Sequence, residues 1–199
     1  YYGQIYREDL VNEITPRYAN DEIKNTFINL QYIFKKLNIP NIYYHQYEAF
    51  KSINENKNTA LLVNHGSGTS TINNIIIFST VFEKQKNVLI IKNNIEDITK
   101  KENEIFQMID NIPEWQPLQI SILKEKQKDT FYPYSDILIS TPEILVEGMF
   151  KEESIVQSMK IFLNEIGVIV IENMEKYKNY ELIHLKYLLR SIQTFLKHR

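Results

Sequence analysis

Residues 58–82 read NTALLVNHGSGTSTINNIIIFSTVF and combine a short apolar run, two glycines and a longer apolar run. The apolar run at 58–63 predicts a short buried strand, Gly66 and Gly68 predict a turn, and the residues up to Phe82 predict a helix. A strand that passes through a glycine-rich turn into a helix is the geometry of a phosphate-binding loop, because backbone N–H groups and the helix N-terminus then face one point. Ordinary strand-to-helix turns share this pattern, so the turn alone leaves both interpretations open.

The complete phosphate-loop pattern places a lysine after the second glycine and a serine or threonine after the lysine. This chain has Thr69 and Ser70 at those two positions, and Ser67 between the glycines. Threonine carries no charge to neutralise a phosphate, whereas Ser70 retains the hydroxyl that such loops offer to Mg²⁺. The sequence therefore predicts a phosphate-binding loop that lacks the positive charge of the lysine.

The rest of the chain alternates short apolar runs with amphipathic stretches. Strands that are apolar throughout and separated by helices indicate a parallel sheet covered on both faces. We therefore expect one doubly wound α/β domain. The predicted strands are 88–91, 119–123, 136–140 and 167–171, and the predicted helices are 95–109, 142–150, 155–163 and a last one from Tyr180.

The N-terminal part differs from this alternation. Residues 1–20 predict an irregular lead-in, and apolar positions from Asp21 onward recur every three to four residues up to Leu37, with Asp21 as the expected N-cap and Pro40 just beyond the helix. A second short helix is expected at 45–53. We therefore expect residues 1–40 to form a lead-in and helix, and residues 41–199 to form the main lobe.

The composition excludes several classes of protein. The 199 residues are 43% hydrophobic and include no cysteine, which excludes a wholly disordered chain, disulfides and thiolate metal sites. The formal charge of −2 does not indicate a nucleic-acid binder, although a protein with this net charge can still have a local basic face. No apolar run is long enough to span a membrane, so we expect an intracellular protein, cytoplasmic or nuclear. The chain begins at Tyr1 without Met, and we expect it to be a piece of a longer protein.

A second candidate site follows the apolar strand GVIVI at 167–171, where Glu172, Asn173 and Glu175 stand close together. A carboxylate at this position can hold Mg²⁺, and a neighbouring glutamate can polarise water. Asn173 cannot act as a base, because an amide has no basic lone pair at neutral pH. The residues Glu172 and Glu175 also fit the more common case of ordinary solvated carboxylates at the end of a strand.

The order of several segments resembles superfamily 2 helicases, most closely the YprA/MrfA-type DNA repair helicases. The resemblance covers nearly the whole chain and rests on five segments in the same order. These are GQIYREDLVNEITPRYA at 3–19, IPNIYYHQYEAF at 39–50, ISTPEIL at 139–145, IENMEKY at 171–177 and KNYELIHLKYLLRSI at 178–192. It implies a RecA-like fold of the P-loop NTPase type, with this chain as the first of two such lobes and the second lobe absent.

The resemblance also implies roles for the residues at a nucleotide site. Gln46 matches the glutamine that contacts the adenine edge, although it could equally bridge local backbone groups. Gly66, Ser67, Gly68, Thr69 and Ser70 match the phosphate loop, with Thr69 in place of its lysine. At the second motif, Glu172 replaces the metal-binding aspartate, Asn173 the catalytic glutamate and Glu175 a histidine. ATP and Mg²⁺, the latter on Ser70 and Glu172, are accordingly expected to bind weakly or not at all.

Two further segments match places where the family contacts the nucleic-acid backbone. The Pro-Thr-Lys segment of the family is Lys92-Asn93-Asn94 here, whereas Thr141 and Pro142 are retained. Thr141 and Pro142 are equally compatible with the simple start of a helix. DNA or RNA is therefore an expected partner, together with a second RecA-like lobe or a protein partner.

Three functions are compatible with this pattern. The first is a helicase-like lobe with impaired ATP hydrolysis that binds nucleic acid or acts as a scaffold or regulatory subunit. The second is the first lobe of an active ATP-dependent helicase with divergent motifs. The third is a nucleotide sensor that binds ATP without hydrolysing it.

Overall fold

Four parallel strands form the sheet of the computed structural model, which describes residues 17–19, 30–63, 66–124, 132–151 and 153–197. The strands lie in the order β2-β3-β1-β4. Within the described residues, β1 pairs with both β3 and β4, so that β4 forms one edge of the sheet. The strands are β1 (Asn87–Ile91), β2 (Ile120–Ile122), β3 (Ile137–Ser140) and β4 (Ile166–Ile171).

Helices cover both faces of this sheet. Successive side chains of a strand point to opposite faces, so Val88 and Ile90 of β1 pack on one side while Leu89 and Ile91 pack on the other. Helices of the N-terminal half cover the first face, and those of the C-terminal half cover the second. The first group is α1 (Leu30–Lys36), α2 (Tyr44–Asn54), α3 (Thr69–Phe82) and α4 (Ile95–Asp110), and the second is α5 (Pro142–Lys151), α6 (Glu153–Asn164) and α7 (Asn179–Lys197).

Two helices begin where the sequence provides a capping side chain. Asn94 precedes α4 and its Oδ1 accepts a hydrogen bond from the Asp97 backbone N–H at 2.8 Å. Thr141 precedes α5, and its Oγ1 accepts one from the Ile144 N–H at 3.3 Å. Pro142 is the first residue of α5, where its missing N–H costs nothing. Both helices therefore start at the carboxyl ends of strands, beside the candidate site.

The predicted α/β fold with a parallel sheet between two layers of helices is confirmed, and each predicted strand and helix from residue 88 onward is present. One predicted strand is wrong. Residues 58–63 form no strand, and Leu62 is 94% exposed. An apolar run becomes a strand only when its backbone groups pair with a neighbouring strand, and no described strand lies beside this segment.

Two predictions about the N-terminal part have different outcomes. The helix expected from Asp21 is described only at Leu30–Lys36, and its proposed N-cap lies outside the described residues. The division into residues 1–40 and 41–199 stays a prediction. Across the described ranges, no helix is both long enough and apolar enough to cross a membrane.

Candidate functional site

The candidate residues gather at the carboxyl edge of the parallel sheet. Lys92 follows β1, Thr141 follows β3 and Glu172 follows β4, and the first turn of α3 carries Thr69. Ligands of open α/β sheets bind at this edge, because the loops that leave parallel strands converge there. The fold therefore brings the segments from the predicted nucleotide site and the predicted nucleic-acid contacts to the same edge of the molecule.

The glycine-rich turn has the backbone that its sequence predicts. Gly66 and Gly68 have φ angles of +84° and +75°, a region that L-residues with a side chain rarely adopt. The helix α3 begins directly after the turn at Thr69, and both Thr69 and Ser70 are exposed. The turn therefore presents a helix N-terminus with two exposed hydroxyl groups and no lysine.

Gln46 holds this turn from the neighbouring helix α2. Its Nε2 donates to the Gly68 carbonyl at 2.8 Å and to the Ser67 carbonyl at 3.4 Å, while its Oε1 accepts from the Tyr43 N–H at 2.8 Å. His45 adds a contact from Nε2 to the Ser67 carbonyl at 3.1 Å. Gln46 is 2% exposed, so both ends of its amide are engaged inside the protein. An adenine ring would have to compete with these hydrogen bonds for the side chain.

Glu172 lies between two buried lysines. Its Oε2 accepts a hydrogen bond from Lys92, and its Oε1 lies 3.3 Å from Nζ of Lys101 on α4. The Lys101 side chain is 1% exposed and that of Lys92 is 7% exposed. Burial by itself raises the pKa of Glu172, but the charges of Lys101 and Lys92 outweigh it and hold that pKa below the ordinary glutamate value. Glu172, with a side chain that is 12% exposed, is therefore a mostly buried carboxylate whose charge is already neutralised by the protein.

The ion pair continues into a network that joins three elements. Lys101 also donates to Oδ1 of Asn74 on α3 at 2.8 Å and to Oε2 of Glu104 at 3.1 Å. The Nδ2 of Asn74 donates to the other oxygen of Glu104 at 2.8 Å. Lys101 thus connects α4 to α3 through its hydrogen bond to Asn74, and to Glu172 after β4 through an ion pair. Hydrogen bonds in which one partner is charged are roughly twice as strong as neutral ones.

Sequence reasoning missed Lys101 and Asn74, although one sequence feature could have revealed the lysine. Lys101 lies on the apolar stripe of α4, between Ile98 and Ile105, and all three are buried. A lysine on the buried stripe of an amphipathic helix requires a carboxylate partner inside the fold. That requirement pointed to a buried acid, but only the folded structure identifies Glu172 as its partner.

These residues do not fit a magnesium ion. An Mg²⁺ site needs carboxylate oxygens that can turn toward the cation, whereas those of Glu172 face two ammonium groups. Ser70 lies exposed in the first turn of α3 and supplies a hydroxyl only. Among the described side chains, no group of three His, Cys, Asp or Glu is placed to hold a metal.

The residues after Glu172 form a short structural turn. Asn173 is exposed with φ of +56°, a left-handed conformation that asparagine tolerates, and it precedes the 3₁₀ turn Met174–Lys176. Tyr177 is buried, and its hydroxyl donates to the Ile91 carbonyl of β1 at 3.2 Å. Burial first and then Glu172 raise the pKa of Tyr177, so the phenol stays neutral. Exposed Glu175 lies within the turn.

The predicted nucleic-acid residues divide into two environments. Lys92 is buried and forms an ion pair with Glu172. The residues Asn93, Thr141 and Pro142 instead line a cavity of about 750 Å³ between the starts of α4 and α5. Three carboxylates and one lysine complete the charged lining of this cavity, namely Glu96, Glu143, Glu181 and Lys124. Lys124 donates a hydrogen bond to Glu102, so its charge is partly used outside the cavity.

The fold of this chain, a parallel sheet between two layers of helices, is similar to the fold of a helicase lobe. One solved structure to which the chain is similar is described as the DUF1998 helicase MrfA bound to DNA and AMPPNP. The TM-score is 0.67 and the identity 15%, and the match covers 83% of this chain but only 24% of the MrfA chain. No family model and no curated protein matches the sequence. The likeness at this identity shows the fold, and the chain spans about a quarter of the length of that helicase.

Proposed function

We propose that this chain is a RecA-like helicase lobe that does not hydrolyse ATP and acts as a scaffold or regulatory lobe in a larger assembly. The observation that carries the proposal is the position of Glu172 between Lys92 and Lys101. In the family that this sequence resembles, the carboxylate at this position would hold Mg²⁺. Here the protein itself provides the positive charge, and it does so with side chains that are fixed in the core.

Two further departures from the family pattern, Thr69 and Asn173, also disfavour ATP hydrolysis. Thr69 supplies no positive charge to the phosphates, and Asn173 supplies no carboxylate to orient water. Removing a single preorganised electrostatic group from an active site typically lowers the rate by about 10²–10³-fold, or about 3–4 kcal/mol of transition-state stabilisation. Loss of both groups, together with a carboxylate that is already paired, predicts a turnover far below the range of about 1–10³ s⁻¹ in which most enzymes work.

The first test is a titration of the purified chain with ATP and Mg²⁺ that follows both nucleotide binding and phosphate release. We expect no phosphate release above background. The variant Thr69→Lys/Asn173→Glu restores two of the missing groups and should remain inactive, because Glu172 stays bound to its lysines. Release by the unmodified chain at about 1 s⁻¹ or faster would refute the proposal, since that is an ordinary enzymatic rate.

A nucleotide sensor is a second candidate, and the glycine turn supports it. The positive φ angles of Gly66 and Gly68 and the start of α3 are retained although the lysine is absent. Binding of ATP without phosphate release would favour this function over a pure scaffold. Gln46→Ala should then weaken nucleotide binding, because it releases the turn, while the exposed Gln116→Ala serves as the matched control. Equal binding by both variants would contradict the sensor.

Nucleic acid stays a proposed partner on two grounds. The segment Thr141–Pro142 matches a backbone-contact segment of the resembling family, and the similar solved helicase is described as bound to DNA. The acidic side chains that line the cavity around Thr141 and Pro142 disfavour binding of nucleic acid, because contacts to phosphate are made mainly by lysine and arginine. A filter-binding measurement with single-stranded and duplex DNA and RNA tests this part. We expect weak binding that salt removes.

A further inference from the structure

The helix α7 has a second apolar stripe, on the side that faces away from the core. Its buried residues pack against α5 and α6. Its exposed stripe consists of Tyr180, Ile183 and Tyr187, which are 62%, 63% and 46% exposed. These residues stand at positions i, i+3 and i+7, so they lie along one side of the helix. A helix that only covers a sheet needs its buried apolar side alone, so the exposed stripe indicates an interaction surface.

The charged residues on the exposed side of α7 are all basic. Lys186, Arg190 and Lys197 are exposed on this helix. The acid in the sequence of α7 is Glu181, which is only partly exposed and whose Oε2 accepts a hydrogen bond from the Lys178 backbone N–H at 3.1 Å. The whole chain has a formal charge of −2, so this side of α7 is a local basic surface on a slightly acidic protein. Charge complementarity therefore predicts an acidic partner.

The residue types of this surface are those of a protein interface. Tyrosine and arginine are enriched among the residues that carry most of the binding energy of such interfaces. Tyr180 is also held in place, because its ring packs edge-on against that of His184 with 4.1 Å between the ring centroids. A side chain that is already fixed loses little conformational freedom when a partner covers it. The start of the stripe is therefore preorganised for binding.

Charge and apolar character together select one kind of partner. A second copy bound by two-fold symmetry would bring the same three basic residues from both chains into one interface, which is unfavourable. Nucleic acid would match the charge, but it is bound by cations and aromatic rings, and the aliphatic Ile183 at the centre of the stripe serves neither purpose. An acidic amphipathic helix matches both properties, because its apolar side covers the stripe and its carboxylates face the cations.

We propose that the exposed side of α7 binds an acidic amphipathic helix of a partner protein. Apolar side chains of that helix cover Tyr180, Ile183 and Tyr187, and its carboxylates face Lys186 and Arg190. This inference rests on the proposed scaffold function, which requires a partner, and deepens it by assigning the surface and the chemistry of that partner. It does not involve the candidate nucleotide site.

The test measures binding of a fluorescein-labelled peptide to the purified chain by fluorescence anisotropy. The peptide is a helix of about 18 residues, or about five turns, with leucine along one side and glutamate and alanine along the rest. A second peptide has lysine in place of each glutamate, and single-stranded oligo(dT) is measured in parallel. We expect the acidic peptide to bind more tightly than either of the other two.

The variant Tyr187→Ser/Arg190→Gln removes one apolar and one charged contact and should weaken binding of the acidic peptide by about tenfold or more. The matched control is Tyr32→Ser/Lys51→Gln, on α1 and α2 at the opposite face of the sheet, where Tyr32 is 44% exposed. We expect it to leave the affinity unchanged within about twofold, because distant sites act independently. Circular dichroism shows whether the variants fold, and Ile183→Ser replaces the first variant if that one does not.

The proposal is overturned if the acidic peptide does not bind, or if the α7 variant and the control bind it equally. It is also overturned if the lysine peptide binds as tightly as the acidic one, or if oligo(dT) binds more tightly. A dimer in sedimentation that Tyr187→Ser/Arg190→Gln dissociates would mean that a second copy occupies this surface, which also overturns it. Phosphate release is measured separately at the candidate nucleotide site, so the proposed absence of ATP hydrolysis and this inference can fail independently.

Discussion

The amide nitrogen of Gln46 occupies the space that a Cβ atom at Gly68 would need. It donates to the Gly68 carbonyl at 2.8 Å, and a Cβ built on Gly68 would lie 2.4 Å from it. The glycine therefore does two things: it permits the left-handed backbone of the turn and it lets a buried side chain close over that turn. The contact joins α2 to the start of α3 and fixes the shape of the candidate site.

Gly68→Ala should destabilise the protein by about 2–4 kcal/mol. The left-handed backbone costs an alanine about 1–2 kcal/mol, and displacing Gln46 breaks buried hydrogen bonds worth about 1 kcal/mol each. Urea unfolding measures the difference. Gly66→Ala is the matched control, because Gly66 has a similar φ but nothing within 4 Å of the added atom. An equal effect of the two substitutions would mean that the Gln46 contact contributes nothing.

Glu172→Gln should destabilise the fold by about 3–5 kcal/mol, because it removes the carboxylate that pairs with buried Lys92 and leaves buried Lys101 with Glu104 as its carboxylate partner. The exposed Glu175→Gln, three residues further on, should change the free energy of unfolding by no more than about 0.5 kcal/mol. Denaturant unfolding of both variants tests the pair. A small effect of Glu172→Gln would show that the lysines find other partners and that the carboxylate is available to a ligand.

The ion pair of Glu172 should contribute its full amount to the free energy of unfolding only above the ordinary glutamate pKa of about 4.3. The lysines hold the pKa of Glu172 below the ordinary value of about 4.3, so the folded state retains the charged form longer than the unfolded chain. The contribution of the pair is fully present above that ordinary value and is lost as the pH falls through the lowered pKa. Unfolding of the wild type and of Glu172→Gln from pH 7 to pH 3 should therefore give a difference that shrinks below about pH 4.3. A difference that is constant with pH would contradict the ion pair.

Gly167→Ala tests the packing of α3 against the edge strand β4. A Cβ at Gly167 would lie 2.7 Å from Cγ2 of Thr80 and 2.6 Å from Cβ of Lys86. Overpacking of this kind typically costs about 1–3 kcal/mol, because backbone or side chains must shift. Thermal unfolding measures the loss. The double variant Gly167→Ala/Thr80→Ser removes the Cγ2 atom of residue 80 and should recover part of the lost thermal stability. No recovery would mean that the loss does not come from contact with this atom.

Tyr177→Phe should cost about 1 kcal/mol, since it removes the hydrogen bond from the phenol to the Ile91 carbonyl, which then keeps the Glu172 backbone N–H as its donor. The matched control is Tyr180→Phe, whose ring is 62% exposed. Calorimetry should show a lower melting temperature for the first variant only. An unchanged melting temperature for Tyr177→Phe would mean that Tyr177 stabilises through packing of its ring alone.

Local sequence patterns were sufficient to predict the class of fold and the position of the glycine turn. The runs VLII at 88–91 and DILIS at 136–140 show no alternation of polar and apolar residues, which indicates strands buried on both faces. Glycines at 66 and 68 before an apolar helix required a tight turn, because only glycine adopts its backbone at low cost. The starts of α4 and α5 followed from Asn94 and Thr141-Pro142. Strands, turns and helix caps of this kind depend on residues that are close together in the sequence, so a local pattern is sufficient to predict them.

Contacts between side chains that are distant in the sequence could not be predicted from such local patterns. Lys101 and Glu172 are 71 residues apart and Gln46 and Gly68 are 22 apart, and no local pattern relates them. The same reason explains the wrong strand at 58–63, since a strand depends on a partner elsewhere in the chain. Glu172 is a metal ligand in the sequence pattern and an ion-pair partner in the fold, because burial next to two lysines determines what a carboxylate can bind.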